Sequence, residues 1–228
     1  TLNKRVKMMF LNYPSNPTAA TVELETFKEA VAFAKKHQIL LAHDAAYDLI
    51  NFGNYKAPSI LQVSGAKEVA VELGSLSKSF NMTGWRIGYA VGNKEVIKAL
   101  ATLKSNMDTS QFLPIQLAAA RALKSDLQTV KQNNKIYHER MEVLHKGFMD
   151  LGFDVNKPRG TIFLWMKVPS GFTSASFADL VLEKAAVIVT PGVAFGENGE
   201  GYVRIAVTVG KERLEEVLDR LQKINFRR

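Results

Sequence analysis

Lys78 lies in the stretch of this 228-residue sequence that is richest in side chains able to do chemistry. Two serines, Ser75 and Ser77, precede it, and Arg86 follows in the same polar stretch. Hydroxyl and guanidinium groups donate hydrogen bonds to phosphate oxygens, and arginine can bind those oxygens in a bidentate fashion. The stretch therefore predicts a phosphate site beside a lysine amine.

This stretch does not have the spacing of a nucleotide-binding P-loop. That motif, G-x-x-x-x-G-K-[ST], has a glycine at its start and another immediately before the lysine. Glu72 and Ser77 occupy those two positions here. The spacing therefore excludes an NTPase of the P-loop class.

Three predicted strands end in polar side chains: Asn16 follows the strand over residues 6–11, Asp44 and Tyr47 follow the strand over 39–42, and Lys78 follows the strand over 69–73. Because ligands of open α/β sheets bind beyond the carboxyl ends of the strands, we expect these groups at one rim. A lysine beside a phosphate site and a carboxylate from a neighbouring strand fit pyridoxal phosphate. That cofactor needs a lysine to form a Schiff base and an aspartate to keep its pyridine nitrogen protonated.

The first half of the chain alternates short apolar runs with amphipathic helical segments. Apolar residues at helical spacing predict helices over 23–36 and 94–105, the second with Asn93 as its N-cap. A fourth strand is predicted over 87–91. This rhythm predicts an α/β fold with a mostly parallel sheet and flanking helices.

The second half of the chain mixes strands and helices without that rhythm. Helices are predicted over 114–123, over a long stretch that ends near 151, over 174–185 and from 211 onward, and strands over 161–168, 187–190 and 202–208. Pro114 suits the first turn of its helix, and Gly152 ends the long one. These elements predict a smaller α+β domain after the α/β part.

Four motifs resemble those of the fold-type I, class I and II aminotransferases: Tyr13-Pro-Ser-Asn-Pro-Thr18, His43-Asp-Ala-Ala-Tyr47, Ser75-Leu-Ser-Lys78 with Gly84-Trp-Arg-Ile-Gly88, and Val203-Arg-Ile-Ala206. They occur in the family's order and are spread over essentially the whole chain. The stretch over residues 64–94 is most similar to the LL-diaminopimelate and aspartate aminotransferase branch. Ala19 departs from the pattern, because the family usually has glycine after Asn-Pro-Thr.

The resemblance implies catalytic roles for three residues. Lys78 would hold pyridoxal phosphate covalently and then move the substrate α-proton. Asp44 would pair with the pyridinium nitrogen, and Tyr47 would hydrogen-bond the phenolic oxygen of the ring. Asn16 would contact the same oxygen.

The resemblance also implies the remaining binding residues. Ser75, Ser77 and Arg86 would hold the cofactor phosphate. Arg204 would bind the substrate α-carboxylate, together with Asn16. No metal is implied.

The resemblance further implies a domain arrangement. Residues 1–115 would be the remainder of the large cofactor-binding domain, and 116–228 would be a linking helix and the small C-terminal domain. Family members are longer at the N-terminus, so we expect a glycine- and serine-rich phosphate loop, a ring-stacking aromatic residue and a cross-dimer tyrosine to precede Thr1. The chain is expected to be the C-terminal part of an aminotransferase.

The function expected from these observations is transfer of an amino group between an L-amino acid and a 2-oxo acid by a cytoplasmic homodimer. One alternative is a pyridoxal-phosphate-dependent carbon–sulfur β-lyase, which uses the same lysine on the same fold. The other is a non-catalytic, aminotransferase-like effector-binding domain of a transcription regulator. The sequence does not choose the amino acid or the oxo acid.

Composition argues against several other classes of partner. The 30 Lys+Arg and 22 Asp+Glu give a net charge of +8, but the charges are spread along the chain without a basic block, so no nucleic-acid partner is expected. The absence of cysteine excludes disulfides and thiolate metal sites and is compatible with a reducing cytosol. The four histidines form no metal-ligand pattern. No apolar run reaches the roughly 18 residues of a membrane span.

Overall fold

A computed structural model of the chain describes Asn3 and residues 5–226. Contacts divide the chain into two units. The first comprises the residues up to Ser15 together with Ala20–Asn133, and the second comprises Asn16–Ala19 together with the residues from Asn134 onward. These units are defined by contacts alone. The domain limits expected from the sequence, 1–115 and 116–228, therefore remain a prediction.

The first unit is built around a four-stranded sheet. In chain order it contains β1 (Met8–Asn12), α1 (Leu24–His37), β2 (Leu40–Asp44), β3 (Ala70–Ser75), the single-turn α2 (Leu76–Ser79), β4 (Gly88–Gly92), α3 (Lys94–Met107), α4 (Leu113–Leu123) and the start of α5 (Gln128–Asp150). The spatial order is β1-β2-β3-β4, in which the first three strands are parallel. The mostly parallel sheet predicted from the sequence is therefore confirmed.

The last strand of this sheet departs from the parallel arrangement, because β4 runs antiparallel to β3. Parallel neighbours need a crossover that usually contains a full helix. The link from β3 to β4 contains only the four-residue α2 and a 3-10 turn over Thr83–Trp85. The chain therefore turns back along the edge of the sheet.

The helices of the first unit form where local signals predict them. In α1, Phe27, Val31 and Ala34 recur at helical spacing and are buried in one core with Leu41 and other apolar residues. In α3, the Asn93 side chain caps the helix by accepting hydrogen bonds from two backbone N–H groups of the first turn. Both helices lie within one or two residues of their predicted limits.

The second unit contains a three-stranded antiparallel sheet. Its elements are the remainder of α5, then β5 (Phe163–Lys167), α6 (Ser174–Ala185), β6 (Thr190–Pro191), β7 (Tyr202–Ala206) and α7 (Lys211–Leu221), and the spatial order of the strands is β5-β7-β6. This is the smaller α+β part that the sequence predicts. The strand expected over 187–190 is shorter than predicted, because only its last residue joins the β6 ladder.

Aromatic and aliphatic side chains fill the core of the second unit. Phe148 from α5 contacts Phe153 edge-on, and Phe153 contacts Phe177 of α6 in the same geometry. Leu164 of β5 and Val203 of β7 are completely buried between the sheet and these helices. Such edge-to-face aromatic pairs contribute about 1 kcal/mol each beyond the apolar area that they bury. None of the described helices is both long and apolar enough to cross a membrane.

Candidate active site

The carboxyl ends of β2 and β3 lie side by side in the first unit. Asp44, the last residue of β2, is in register with Leu73, and the backbone N–H of Ala45 donates to the carbonyl of Leu73 at 2.9 Å. Asn12 of β1 donates from its side chain to the carbonyl oxygen of Asp44 at 3.0 Å. Three strands therefore present their last residues at one rim, and Ser75 and α2 follow β3 directly.

Asp44 and Tyr47 occupy the turn after β2. The backbone N–H of Ala46 donates to the Asp44 carboxylate at 3.1 Å, which holds that side chain in the turn. Tyr47 is buried, and its carbonyl oxygen accepts a hydrogen bond from the backbone N–H of Ile50. The sequence prediction that this carboxylate and this phenol follow a buried strand is met.

Lys78 lies on α2, immediately after β3. Ser75 caps this turn, since its hydroxyl accepts a hydrogen bond from the backbone N–H of Ser77 at 3.2 Å. The Lys78 side chain is half-buried and forms no hydrogen bond or ion pair with any residue that the structure describes. Its amine is therefore available for reaction with a small molecule.

Arg86 is held close to α2 by a short chain of hydrogen bonds. Its guanidinium group donates to the carbonyl of Thr83 at 2.9 Å, and the Thr83 hydroxyl donates to the carbonyl of Ser77 at 2.8 Å. Arg86 has a left-handed backbone, with φ of 52°, where the 3-10 turn ends. These contacts bring the arginine, the two serines and the lysine of the predicted phosphate site into one loop.

Asn16 and Arg204 meet in the second unit, although 188 residues separate them in the chain. The guanidinium group of Arg204, on β7, donates to the side-chain oxygen of Asn16 at 2.7 Å. The same guanidinium lies over the rings of Phe163 and Phe195, with its central carbon 4.3 and 4.7 Å from the two centroids. The Asn16–Pro17 peptide bond is cis. The structure thus brings together the two side chains that the sequence assigned to substrate binding.

The side chains of the first unit match the chemistry that pyridoxal phosphate requires. The cofactor needs an amine for its aldehyde, a carboxylate for its ring nitrogen and hydrogen-bond donors for its phosphate. Lys78 supplies an amine without a partner among the described residues, and Asp44 supplies a carboxylate at the neighbouring strand end. The serine hydroxyls and Arg86 supply donors. The residues present therefore fit this cofactor.

Sequence reasoning missed a buried polar cluster beneath this rim. The ring of His43, on β2, is completely buried, and its Nδ1 lies 3.0 Å from a carboxylate oxygen of Glu72 on β3. The hydroxyl of Ser59 donates to the same carboxylate at 2.8 Å, and the backbone N–H of Ile60 donates to it at 3.0 Å. One signal was visible in the sequence: a histidine and a glutamate interrupt two otherwise apolar strands.

Burial and hydrogen bonding oppose each other at Glu72. Burial would raise the pKa of the carboxyl, but the hydrogen bonds from His43, Ser59 and Ile60, with the charge of His43, outweigh it and hold the pKa below its usual value. Glu72 is therefore a carboxylate at neutral pH.

A second missed carboxyl lies in the turn after Tyr47. Burial raises the pKa of Asp48 from 3.8 to about 6, and the nearby charge of Glu72 adds to that rise. Tyr89 of β4 faces the same two carboxyls, and burial together with their charges raises the pKa of its phenol. Its ring covers Gly74, where an added Cβ would lie 2.1 Å from a ring carbon. Within the described part of the chain, no three acidic or histidine side chains are grouped so that they could hold a metal.

Residues 1–221 of the chain match the family model described as aminotransferase class I and II. Among curated relatives, the LL-diaminopimelate aminotransferase of Moorella thermoacetica is 48% identical over 221 residues, which is 97% of this chain and 57% of that protein. An LL-diaminopimelate aminotransferase of Syntrophobacter fumaroxidans is 44% identical over 98% of this chain and 58% of its own length. The chain thus spans somewhat more than half the length of these relatives.

Solved structures also resemble the chain. Substrate-bound BacF from Bacillus subtilis is 42% identical, with a TM-score of 0.94 over 97% of this chain and 57% of that structure. An aromatic aminotransferase from Pyrococcus horikoshii is 31% identical, with a TM-score of 0.93 over 97% of this chain and 60% of its own. With a family model matched along nearly its whole length and this agreement in structure, the chain belongs to the class I and II aminotransferases, a family that uses pyridoxal phosphate.

Proposed function

We propose that this chain acts in a pyridoxal-phosphate-dependent aminotransferase that moves an amino group between an L-amino acid and a 2-oxo acid. One observation carries the proposal: the amine of Lys78 has no partner among the described residues and follows β3 directly, beside the strand that ends in Asp44. A surface lysine without a function would more often be solvated or ion-paired. Here it lies in a loop with two serines and an arginine, in a chain of this family.

In this proposal most of the cofactor ligands come from the first unit, and Asn16 comes from the second. Lys78 provides the amine for its aldehyde, and Asp44 the negative charge for its ring nitrogen, which stays protonated because an opposite charge nearby favours the charged form. Tyr47 and Asn16 donate to its phenolic oxygen. When bound, pyridoxal phosphate supplies an electron sink for the bond that breaks at the substrate α-carbon.

The phosphate in this proposal is bound by the loop after β3. Ser75 and Ser77 offer hydroxyl groups, and Arg86 offers the guanidinium N–H groups that do not donate to Thr83. Charge-assisted bonds of this kind are about twice as strong as neutral ones. The hydrogen bond from Thr83 to the carbonyl of Ser77 keeps the loop in shape before any ligand arrives.

The substrate in this proposal is held by Arg204 and is deprotonated by Lys78. The Arg204 guanidinium is oriented by Asn16 and by two aromatic rings, so the plane that contains its N–H groups is already fixed for a bidentate bond to an α-carboxylate. The Nζ of Lys78 would take the proton from the α-carbon of the substrate. Because an amine that moves protons must be positioned within hydrogen-bond reach, the short α2 turn that carries it is part of the machinery.

Substrate choice and assembly belong to the same proposal. Relatives that are 44–48% identical are named LL-diaminopimelate aminotransferases, so we propose a dicarboxylic amino acid of that kind as the first donor to test. We also propose a homodimer in the cytoplasm, by analogy with the family and from the lack of cysteine. Sedimentation of the full-length protein and fractionation of cells would test these two points.

The experiment that tests the cofactor site is borohydride reduction of the full-length protein loaded with pyridoxal phosphate. We expect one labelled peptide, and we expect the label on Lys78. The substitution Lys78→Ala should abolish both label and turnover, whereas Lys94→Ala, at an exposed lysine of α3, should change neither. A label on another lysine, or near-normal turnover without the Lys78 amine, would refute the proposal.

A panel of amino acids separates the proposal from its two rivals. LL-diaminopimelate, aspartate, phenylalanine and cystathionine are incubated in turn with 2-oxoglutarate, and the products are identified. A new 2-oxo acid together with glutamate indicates transamination. Pyruvate with ammonia from cystathionine indicates a β-lyase, and binding without product indicates an effector domain; either result contradicts the proposed function.

A further inference from the structure

The buried ring of His43 lies between two hydrogen-bond acceptors. Nδ1 is 3.0 Å from the carboxylate of Glu72, and Nε2 is 3.0 Å from the carbonyl oxygen of Tyr13. A carbonyl oxygen only accepts, so Nε2 must carry a proton. The ring also packs edge-on against Phe27, with centroids 4.6 Å apart, and has no exposed surface.

The other partner of the ring is fixed as well. The oxygen of Glu72 that faces Nδ1 also accepts from the backbone N–H of Ile60, and the one hydroxyl proton of Ser59 is shared between the two carboxylate oxygens at 2.8 and 2.9 Å. Donors that converge on both oxygens favour an ionised carboxylate. Glu72 therefore holds the Nδ1 side of the ring while the carbonyl of Tyr13 holds the Nε2 side.

Two further titratable groups face this pair. Asp48, in the turn after β2, adds negative charge near both His43 and Glu72, and Tyr89 of β4 faces the Glu72 side. The raised pKa of the Tyr89 phenol keeps it neutral at neutral pH. The buried carboxylate of Glu72 needs its hydrogen-bond donors, because an uncompensated buried charge is strongly unfavourable.

We propose that His43, held by its contact with Glu72, is a positioning residue that fixes the turn after β1 against the end of β2. This inference rests on the proposed function. Its hydrogen bond reaches Tyr13, three residues before Asn16, while the next residue along β2 is Asp44. His43 touches no substrate; it acts through the backbone that carries two proposed ligands.

The hydrogen bond from His43 adds to a contact that already joins the two strands. The last residues of β1 and β2 are joined by the bond from Asn12 to the carbonyl of Asp44, and the bond from His43 reaches Tyr13, the first residue after β1. Together, these two hydrogen bonds fix where the chain leaves the sheet after β1 and in which direction it continues. A misplacement of about 1 Å in such a group can lower a reaction rate by about 100-fold.

Nitrogen NMR of the full-length protein tests the hydrogen bond from His43 to Tyr13 without any need for activity. The ring nitrogens of His43 are assigned by their loss in His43→Gln. We expect Nε2 to carry a proton and to show a hydrogen bond, because the carbonyl oxygen of Tyr13 only accepts. A parent protein in which Nε2 carries no proton or makes no hydrogen bond would overturn the proposal.

Cofactor affinity tests the positioning role. His43→Gln cannot reach both acceptors, so we expect pyridoxal phosphate to bind at least about 10-fold more weakly and kcat to fall at least about 10-fold. Glu72→Gln keeps the shape of the side chain and should give a smaller loss in both. Phe27→Leu, which alters packing on the same ring but removes no hydrogen bond, is the matched control and should lower the melting temperature while cofactor affinity stays within about 3-fold.

Two outcomes of these measurements would overturn the positioning role. One is normal cofactor affinity and kcat in folded His43→Gln or, if that variant fails to fold, in Glu72→Gln. The other is an equal loss of cofactor affinity in Phe27→Leu, which would mean that only general stability is involved. If the parent protein itself binds no pyridoxal phosphate, the proposed function fails instead, and the NMR experiment still decides whether His43 is hydrogen-bonded to Tyr13.

Discussion

Charged side chains of the first unit have two contrasting surroundings. Lys78 is half-buried without an ion pair among the described residues, and Arg86 is exposed with one backbone partner. Glu72, by contrast, is enclosed by three hydrogen-bond partners, which are His43, Ser59 and the backbone of Ile60. A polar group with all its partners inside the protein stabilises the fold, whereas one without them is available to a ligand. Lys78 and Arg86 therefore belong to the proposed ligand site, whereas Glu72 belongs to the buried cluster that stabilises the strands below it.

Arg204 offers a residue-level prediction about substrate binding. Lysine keeps the charge but loses the planar group that lies over the rings of Phe163 and Phe195 and donates to Asn16. For Arg204→Lys we expect KM for the amino acid and for the oxo acid to rise by about 10–100-fold, which corresponds to about 1.4–2.8 kcal/mol. Steady-state kinetics with each substrate varied in turn measures these KM values.

The absorbance of bound cofactor should stay normal in Arg204→Lys, because Lys78 and Asp44 are unchanged. Arg213→Lys is a suitable control, since that arginine is exposed on α7 and pairs only with Glu216 among the described residues. An effect confined to one substrate side chain would contradict the assignment of Arg204 to the common carboxylate.

Asp48 offers a prediction about pH and stability. Its folded pKa of about 6 lies above its ordinary value of 3.8, so the folded state binds the proton more tightly than the unfolded state does. Stability therefore falls as the pH rises through that interval, and the whole penalty is present above about pH 6. Asp48→Asn removes the charge but keeps the side-chain oxygen that accepts from the N–H of Leu49.

We expect Asp48→Asn to stabilise the protein at about pH 8 by about 2 kcal/mol, and by about 1 kcal/mol less at pH 5. Urea unfolding at the two pH values measures the difference. Asp219→Asn, at an exposed position of α7, should give no such dependence. A gain that is larger at pH 5 than at pH 8 would mean that Asp48 is stabilised as a carboxylate.

At the scale of elements, the antiparallel ladder between β3 and β4 controls where α2 begins. Ser75 is in register with Gly88, and the N–H of Leu76 donates to the carbonyl of Ile87 at 3.3 Å. The strands approach so closely that a Cβ on Gly88 would lie 2.6 Å from the carbonyl oxygen of Gly74. Both partners are backbone, so neither can rotate away.

We therefore expect Gly88→Ala to push β4 away from β3, to lower the free energy of unfolding by about 1–3 kcal/mol and to weaken cofactor binding. Gly84→Ala is the matched control for stability, because an added Cβ there has nothing within 4 Å. Thermal unfolding of both variants measures this difference in stability. Equal stability of the two variants would show that β4 can move away from β3 without lowering the free energy of unfolding.

At the scale of the whole molecule, many large apolar side chains are exposed. Phe10, Met107 and Phe112 are each at least 70% exposed, and Leu113 and Leu117 are 62% exposed. No residue of α3 is buried. Exposed apolar surface on this scale marks an interaction surface.

We expect residues 1–228, when prepared by themselves, to associate at micromolar concentrations and to bind a fluorescent apolar dye, because each large side chain that leaves water contributes about 1.5–3 kcal/mol. Sedimentation velocity and dye fluorescence measure both effects. The full-length protein, assayed in parallel, is expected to bind less dye. A single monomeric species without dye binding would contradict this prediction.

Short-range chemistry is what the sequence by itself determined. Asn93 before a run of helical spacing and Pro114 in a first turn predict α3 and α4 because caps and turns involve residues only a few positions apart. The same holds for Asp44 and Lys78 as the polar residues that follow buried strands. Their proposed roles come from motifs whose members are close in the chain.

Only the tertiary structure decided which distant groups meet. The pairing of Asn16 with Arg204 spans 188 residues, and that of His43 with Glu72 depends on the register between two strands. The direction of β4 likewise depends on how the chain packs after β3. Such contacts are selected by the packing of the whole sheet and its core, and local spacing carries no information about them.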